Sequence, residues 1–385
     1  MSDNPSFVLR TVQDAVFEDR RIPEIKDDEV LIAVKKTGRF LSICGSDVHF
    51  FVDGHIGPVA VEKPMVLGHE SAGVVCKVGQ KVKTLKEGDR VAMEPGATCR
   101  VCDDCKRGRY ELCPEMKFAA TPPHDGTLSW YYALPADLCY KLPDHLTLED
   151  GALMEPLSVA VHAIATISQL RATQSVAVFG AGPVGLLCMA VARALGASRV
   201  VAVDVVPARL AFAQEYAATE TYAPLEPEMR DGDHPEGTLA YSLRNARAMM
   251  VQLGIGERGP SGIDLAVDAS GAEVAIQTGL LVVKHGGTFV QVGIGGVGAQ
   301  IPALYLLAKE LVYKGSFRYG PGDYQLAMAL VRQGKIDLAP LVTHRYSFNE
   351  AARAFEAVRT GKSEDGKPVI KVIISGPDVS PVDLM

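Results

Sequence analysis

From residue 5 to about 158, short apolar runs are separated by Gly, Pro and Asp turns. Val30-Leu31-Ile32-Ala33-Val34, Gly73-Val74-Val75-Cys76-Lys77-Val78 and Arg90-Val91-Ala92-Met93 are the clearest. That punctuation predicts a β-rich, barrel-like fold. From about 159 to 300 the period changes, and apolar strands at 175–179, 199–204, 263–268 and 288–292 alternate with helix-period segments such as 186–195 and 208–216. Such alternation implies a parallel sheet with crossover helices, an α/β architecture beside the β-rich one. Beyond about 305, residues 324–332 and 349–358 read as amphipathic helices and 369–374 as a final strand. Residues 223–245 are polar, acidic and interrupted by Pro and Gly, which reads as a surface insertion in the α/β half.

Three segments follow: a β-rich domain at 1–158, an α/β domain at 159–305, and a C-terminal segment at 306–385, which the family resemblance described below implies returns to the first, catalytic domain. A chain of 385 residues is long enough for two or three domains. With 48% hydrophobic and 22% charged residues it is neither disordered nor fibrous. A formal charge of −7 repels polyanions, so neither a nucleic acid nor an anionic membrane surface is expected as partner. The longest uncharged apolar stretch, 176–192, has Gly-Ala-Gly-Pro-Val-Gly in its middle and reads as strand, turn and helix rather than a membrane span. Met1-Ser2-Asp3-Asn4-Pro5 lacks the basic and apolar regions of a signal peptide, so a cytoplasmic, reducing setting is expected.

In that setting clustered cysteines suggest metal. Cys99, Cys102, Cys105 and Cys113 lie within 15 residues, where an even scatter of the eight cysteines would put fewer than one. Their spacing lets one loop, residues 96–114, close four thiolates around a tetrahedral ion, as a structural zinc site requires.

The α/β half carries a second signature. Gly180-Ala181-Gly182-Pro183-Val184-Gly185 follows an expected strand and opens an expected helix, and Asp204 ends the next strand. Gly180 permits the tight turn, Gly182 lets a pyrophosphate approach the backbone, and Gly185 allows close packing of helix on sheet. Asp204 can accept from both hydroxyls of an adenosine ribose and repels a 2′-phosphate, which favours NAD over NADP; Arg209 nearby weakens that preference. A further constellation lies in the first domain. Cys44, His69 and Glu70, with Glu155 in Met154-Glu155-Pro156-Leu157-Ser158, offer a thiolate, an imidazole and carboxylates. These can form an open zinc site of the kind used in catalysis.

These motifs together resemble the zinc-dependent medium-chain alcohol dehydrogenases over nearly the whole chain. Within that family the polyol dehydrogenase branch is most similar, the fungal xylitol dehydrogenases especially. The shared strings are Lys63-Pro64-Met65-Val66-Leu67-Gly68-His69-Glu70, Phe118-Ala119-Ala120-Thr121-Pro122, Glu155-Pro156-Leu157-Ser158-Val159, Gly315-Ser316-Phe317-Arg318-Tyr319 and Leu341-Val342-Thr343-His344-Arg345. The resemblance implies a Rossmann NAD-binding domain plus a GroES-like barrel catalytic domain, with the site in the cleft between them. It implies Cys44, His69 and Glu70 at a catalytic zinc, with Glu155 either ligating the ion or holding its water, and Asp47 orienting His69. It places Ser46 and His49 on the proton path, and Phe50, Glu155, Arg318 and Tyr319 near the substrate. Cofactor positions are Gly180, Gly182, Pro183, Val184, Gly185, Asp204, Arg209, Val292, Gly293, Ile294, Phe317 and Arg318. The four clustered cysteines match the family's structural zinc lobe.

The implied reaction is oxidation of a polyol secondary alcohol to a ketose, xylitol to D-xylulose, by hydride transfer to NAD, in a homo-oligomeric dimer or tetramer. Sorbitol and L-arabinitol oxidation are the alternatives within the branch. Outside it stand a zinc-free quinone reductase and a non-enzymatic nucleotide-binding protein. Two departures bear on the transfer. Arg39-Phe40-Leu41-Ser42 is inserted just before Ile43-Cys44 relative to close relatives, and loops out, displaces Cys44 or is an error in the gene model; Phe50 stands where animal sorbitol dehydrogenases carry Tyr.

Overall fold

A computed structural model describes residues 4–33, 40–230, 234–235, 237–296 and 298–376. The chain divides into two compact units. One comprises residues up to Glu155, Gly320–Tyr324 and everything from Asp337 onward; the other comprises Pro156–Tyr319 and Gln325–Ile336.

The first unit is β-rich, as the turn punctuation predicts. Its main sheet has eight strands. Six run in the order Tyr131–Pro135, Glu29–Ala33, Glu70–Val78, Phe40–Ser42, Lys371–Ser375 and Val342–Ser347, and Arg90–Met93 and Cys139–Lys141 branch from Glu70–Val78. The chain's C-terminal part therefore supplies two strands to a sheet begun by its N-terminal part. Phe40–Ser42, inside the inserted tetrapeptide, pairs antiparallel with both Glu70–Val78 and Lys371–Ser375. These residues do not loop out; they close the sheet between two strands far apart in sequence.

The second unit is a six-stranded sheet in the order Glu220–Tyr222, Arg199–Val203, Ser175–Phe179, Ile263–Asp268, Val283–Gln291 and Val312–Gly315, and every pairing within it is parallel. The order reverses after the third strand, and ligands of open α/β sheets bind at such a switch point. Ser175–Phe179 is buried along its whole length, as a strand covered on both faces must be. The core behind it includes Phe179, Val201, Tyr222, Met249, Leu280 and Phe289.

Two expectations are corrected here. The parallel unit does not stop at 305: Val312–Gly315 is its edge strand and Gln325–Ile336 also belongs to it. Nor is 223–245 wholly a surface insertion, because helix Thr238–Leu253 begins inside it. Asn245 on that helix is buried and accepts from the Leu225 amide at 2.8 Å, and Ser242 is buried against Gln277 at 2.9 Å. Polar side chains turned inward hide a helical period that a hydrophobicity count reads as loop. Among the described residues no helix is long and apolar enough to cross a membrane.

The parallel register is pinned at one end by Asp264. Its carboxylate accepts from the Ser175 amide at 2.8 Å and the Ser175 hydroxyl at 3.0 Å, and pairs with Lys284. Burial pushes this carboxyl up, but Lys284 and Ser175 outweigh burial and hold it below the usual carboxylate range. A group depressed in the folded state stabilises above its unfolded pKa and loses that contribution as pH falls through the folded value. We therefore expect Asp264→Asn to cost about 1 kcal/mol at neutral pH. In urea titrations the gap from wild type should close below about pH 4, where the unfolded carboxyl protonates.

Candidate metal and nucleotide sites

The four cysteines of the lobe converge. Their sulfurs all lie within 4.8 Å of one another, and Cys99 and Cys105 are 4.0 Å apart. A disulfide needs about 2.05 Å, whereas a tetrahedral ion with metal–sulfur bonds of about 2.3 Å spaces its ligands by about 3.8 Å. The lobe has the second spacing. Its backbone is wrapped to favour thiolates: Cys99 donates its amide to Cys113 Sγ at 3.4 Å, and Cys102 donates to Cys99 Sγ at 3.3 Å. Amides of Val101 and Cys102 pull the Cys99 thiol down to about 7, while burial pushes Cys105 up to about 12. The donor set thus fits a structural zinc.

The second constellation is built from distant segments of the first unit. Cys44 precedes helix Gly45–Asp53, His69 precedes strand Glu70–Val78, and one donor atom from each of Cys44, His69 and Glu70 lies within 4.8 Å of the others. The inserted tetrapeptide has not displaced Cys44. Asp47, in the first turn of that helix and 1% exposed, holds both segments. Its Oδ1 accepts from the Gly68 amide at 3.0 Å and faces His69 Nδ1 at 3.2 Å; its Oδ2 accepts from the Cys44 amide at 3.4 Å. With Nδ1 committed to Asp47, Nε2 is the nitrogen left for a metal. Burial pulls the His69 imidazole down, but Asp47 and Cys44 outweigh burial and push it well up. The pocket favours positive charge, and a divalent ion satisfies that better than a proton.

Lys371, a residue the sequence reading did not single out, lies against this group. Its ammonium donates to Glu70 Oε1 at 2.8 Å and to the Ile43 carbonyl at 3.2 Å, and lies 2.7 Å from Glu70 Oε2 as an ion pair. Oε2 is buried outside hydrogen-bonding geometry, with no donor aligned on it. Burial pulls this ammonium down, but Glu70, Cys44 and Glu155 hold it up. The signal was present in Lys371-Val372-Ile373-Ile374, where a charge opens an apolar strand.

Glu155 is buried in the first turn of helix Met154–Val161 but is not among the three donors that lie within 4.8 Å of one another. Ser46 is partly buried, and His49 is exposed with Nδ1 3.1 Å from Asp53 Oδ2. Phe50, expected near substrate, is 4% exposed within the cluster of Phe7, Ile43, Leu67 and Phe355; the structure gives it a packing role.

In the second unit the glycine loop behaves as its spacing demands. Gly180 has φ +97°, and a Cβ at Gly185 would sit 1.8 Å from the Gly180 carbonyl oxygen. A Cβ at Gly182 would meet nothing within 4 Å, so the face that a pyrophosphate would approach is open. Pro183 and Val184 begin helix Pro183–Ala194, whose free N–H groups suit an anion. Asp204 Oδ2 accepts from the Ala181 amide at 2.7 Å, Oδ1 from the Val206 amide at 2.8 Å, and Arg209 lies 3.9 Å away. Val292 and Gly293 follow strand Val283–Gln291, Gly293 packs on the Ser270–Gly271 backbone, and Ile294 is 59% exposed. Arg318 has φ +53° and stacks over Phe317 at 4.7 Å, and Tyr319 is buried. A bulky residue held at positive φ is strained, and such strain concentrates at functional sites.

A β-rich unit with two metal-type donor sets and a parallel sheet with a dinucleotide loop define a metal-dependent nucleotide-linked oxidoreductase. Comparison with known proteins agrees. The Alcohol dehydrogenase GroES-like domain matches residues 26–144, and the Zinc-binding dehydrogenase domain matches 183–333. D-xylulose reductase A of Aspergillus niger is 52% identical over 378 residues, 98% of each chain. Among solved structures, L-idonate 5-dehydrogenase from Escherichia coli matches with TM-score 0.81 and 27% identity over 97% of this chain and 98% of that one. 2R,3R-butanediol dehydrogenase from Bacillus subtilis matches with TM-score 0.80 and 28% identity over 97% and 99%. The chain belongs to the zinc-dependent medium-chain alcohol dehydrogenase family, with a GroES-like and a Rossmann-type domain.

Asp47→Asn should weaken metal retention at the Cys44 site by about 10- to 100-fold while the four-cysteine lobe keeps its ion. Elemental analysis after graded chelator treatment reads both sites at once.

Proposed function

We propose that this protein is a zinc- and NAD-dependent polyol dehydrogenase that oxidises xylitol to D-xylulose. The observation that carries the reading is the convergence of Cys44, His69 and Glu70 in a chain 52% identical to a D-xylulose reductase over nearly its whole length. When bound, zinc supplies a Lewis acid for the reacting hydroxyl and NAD accepts the hydride.

The chain's residues do the rest. Cys44, His69 and one or both of Glu70 and Glu155 would hold the catalytic zinc, and Asp47 keeps His69 in the tautomer that leaves Nε2 available. Ser46 and His49 carry the hydroxyl proton outward; His49, exposed beside Asp53, delivers it to solvent. Gly182 and the first turn of Pro183–Ala194 receive the pyrophosphate, and Asp204 receives the ribose hydroxyls. Arg209, already beside Asp204, is partly neutralised as a 2′-phosphate acceptor, which supports NAD over NADP. Val292, Gly293, Ile294 and Phe317 line the nicotinamide end, and Arg318 and Tyr319 the polyol. Two zinc ions per chain are expected, the second in the four-cysteine lobe. Unbridged thiolates suit the cytosol. Homo-oligomerisation is part of the reading: edge strand Val312–Gly315 leaves Val312 and Tyr313 exposed, and Leu304 and Leu307 of helix Ala303–Ala308 are exposed as well.

Growth of NADH absorbance with xylitol, sorbitol, L-arabinitol and ribitol, with NAD and with NADP, tests the assignment; xylitol with NAD should give the highest kcat/KM. No turnover of any polyol would leave a nucleotide-binding protein, and an active enzyme without zinc would favour the quinone reductase class. Cys44→Ala and His69→Ala should abolish turnover with circular dichroism unchanged. Asp204→Ala should raise KM for NAD and narrow the preference over NADP, and an unchanged ratio would remove Asp204 from that role.

A further inference from the structure

The segment assigned to the nicotinamide end is nearly bare of side chains to hold it. A Cβ on Gly293 would lie 2.2 Å from the Gly271 amide nitrogen, and one on Gly295 would lie 2.0 Å from the Gly271 carbonyl oxygen. Backbone therefore packs on backbone. Ile294 between them is 59% exposed, and Gly293, Gly295 and Gly296 border a cavity of about 230 Å³. Glycine loses more conformational freedom on ordering than any other residue, so such a strap holds one position only if polar groups pin it.

Asp268 supplies the pins. It ends strand Ile263–Asp268, pairs with Phe179 at the end of Ser175–Phe179 where the sheet order reverses, and is fully buried. Its carbonyl oxygen accepts from the amides of both Val292 and Gly293 at 2.9 Å. Its carboxylate reaches the same strap by a second route: Oδ2 accepts from Gln291 Nε2 at 2.6 Å, and that nitrogen also donates to the Gly293 carbonyl at 2.8 Å. On the side of the glycine loop, Oδ1 accepts from the Ser270 amide at 3.1 Å and the Ser270 hydroxyl at 2.6 Å, and Oδ2 from the Gly271 amide at 2.8 Å. Ser270 is in turn the residue that a Cβ on Gly180 would meet, at 3.1 Å. One side chain thus ties the strap to the loop that would receive the pyrophosphate.

The charge matters as well as the shape. Four donors converge on two oxygens, which is the acceptor capacity of an ionised carboxylate, and all four are neutral. A buried charge tolerates loss of water only where such donors replace it, and each bond to it is about twice as strong as one between neutral groups. An amide in its place would turn an N–H toward the Gly271 amide, leaving donor against donor.

Resting on the cofactor reading proposed above, we infer that the Asp268 carboxylate is a positioning group: it fixes the strap at 292–295 against the glycine loop and so sets where the nicotinamide lies relative to the pyrophosphate.

The test compares, by calorimetry on the whole enzyme, binding of NADH with binding of ADP-ribose, which keeps the pyrophosphate and lacks the nicotinamide. Asp268→Asn should weaken NADH binding by about tenfold, the size of one charge-assisted hydrogen bond, and leave ADP-ribose within about twofold of wild type. The emission of bound NADH should shift toward that of free NADH, and kcat should fall more than KM for the polyol changes. Gln291→Met, which removes the bridge from Asp268 to Gly293 and keeps the carboxylate, should show the same selective loss to a smaller degree. That variant decides the matter if Asp268→Asn fails to fold. Equal loss of NADH and ADP-ribose in the folded variant, or unchanged NADH binding, overturns the role of Asp268. A wild-type protein that binds neither nucleotide overturns instead the cofactor reading on which it rests.

Discussion

Buried negative charge in excess of buried positive charge is the constraint around which the first unit is organised. The carboxylates of Asp47 and Glu70 and the partly buried Cys44 thiol crowd one volume with His69, and Lys371 is the only lysine ammonium in direct contact with them among the described residues. Such a volume is stable only if a further cation enters it or its groups take up protons. The raised His69 imidazole is that demand expressed through Asp47 and Cys44. A divalent ion meets it and becomes, by the same charge argument, chemically useful.

The demand also explains the topology. Cys44, His69-Glu70 and Lys371 come from three separate stretches of chain, and adjacent strands of one sheet bring them together: Phe40–Ser42 lies between Glu70–Val78 and Lys371–Ser375. A short strand of three residues thus sets the spacing of donors on both sides of it. Asp47 provides the complementary restraint, with one oxygen on the His69 segment and the other on Cys44. The second unit solves a simpler problem by shape. Gly185 lets helix and sheet meet at backbone distance, and Gly182 leaves the loop's outer face bare.

Much of this was legible in the chain. The strands expected at 175–179 and 263–268 are Ser175–Phe179 and Ile263–Asp268, because a strand buried on both faces is an unbroken apolar run with sharp ends. The two metal donor sets were legible because ligand chemistry restricts them to a few residue types at set spacings. Other features were not. Ser242 and Asn245 face inward with polar side chains, so helix Thr238–Leu253 does not show a clean apolar stripe at its start. Phe50 carries the chemistry of a substrate contact but is spent on the core, and only packing separates those uses. The tetrapeptide ending at Ser42 reads as an insertion until its pairing partners, some 30 and 330 residues further on, are brought alongside.

By itself the sequence determined which donor atoms exist, that four thiolates share one loop, and that a dinucleotide turn joins a strand to a helix, since each depends on local spacing along the backbone. Only the tertiary structure decided that Lys371 lies against Glu70, a separation of 301 residues. Pairing across a sheet is set by the competition of whole strands for hydrogen-bonding partners and burial, and no local pattern encodes its outcome.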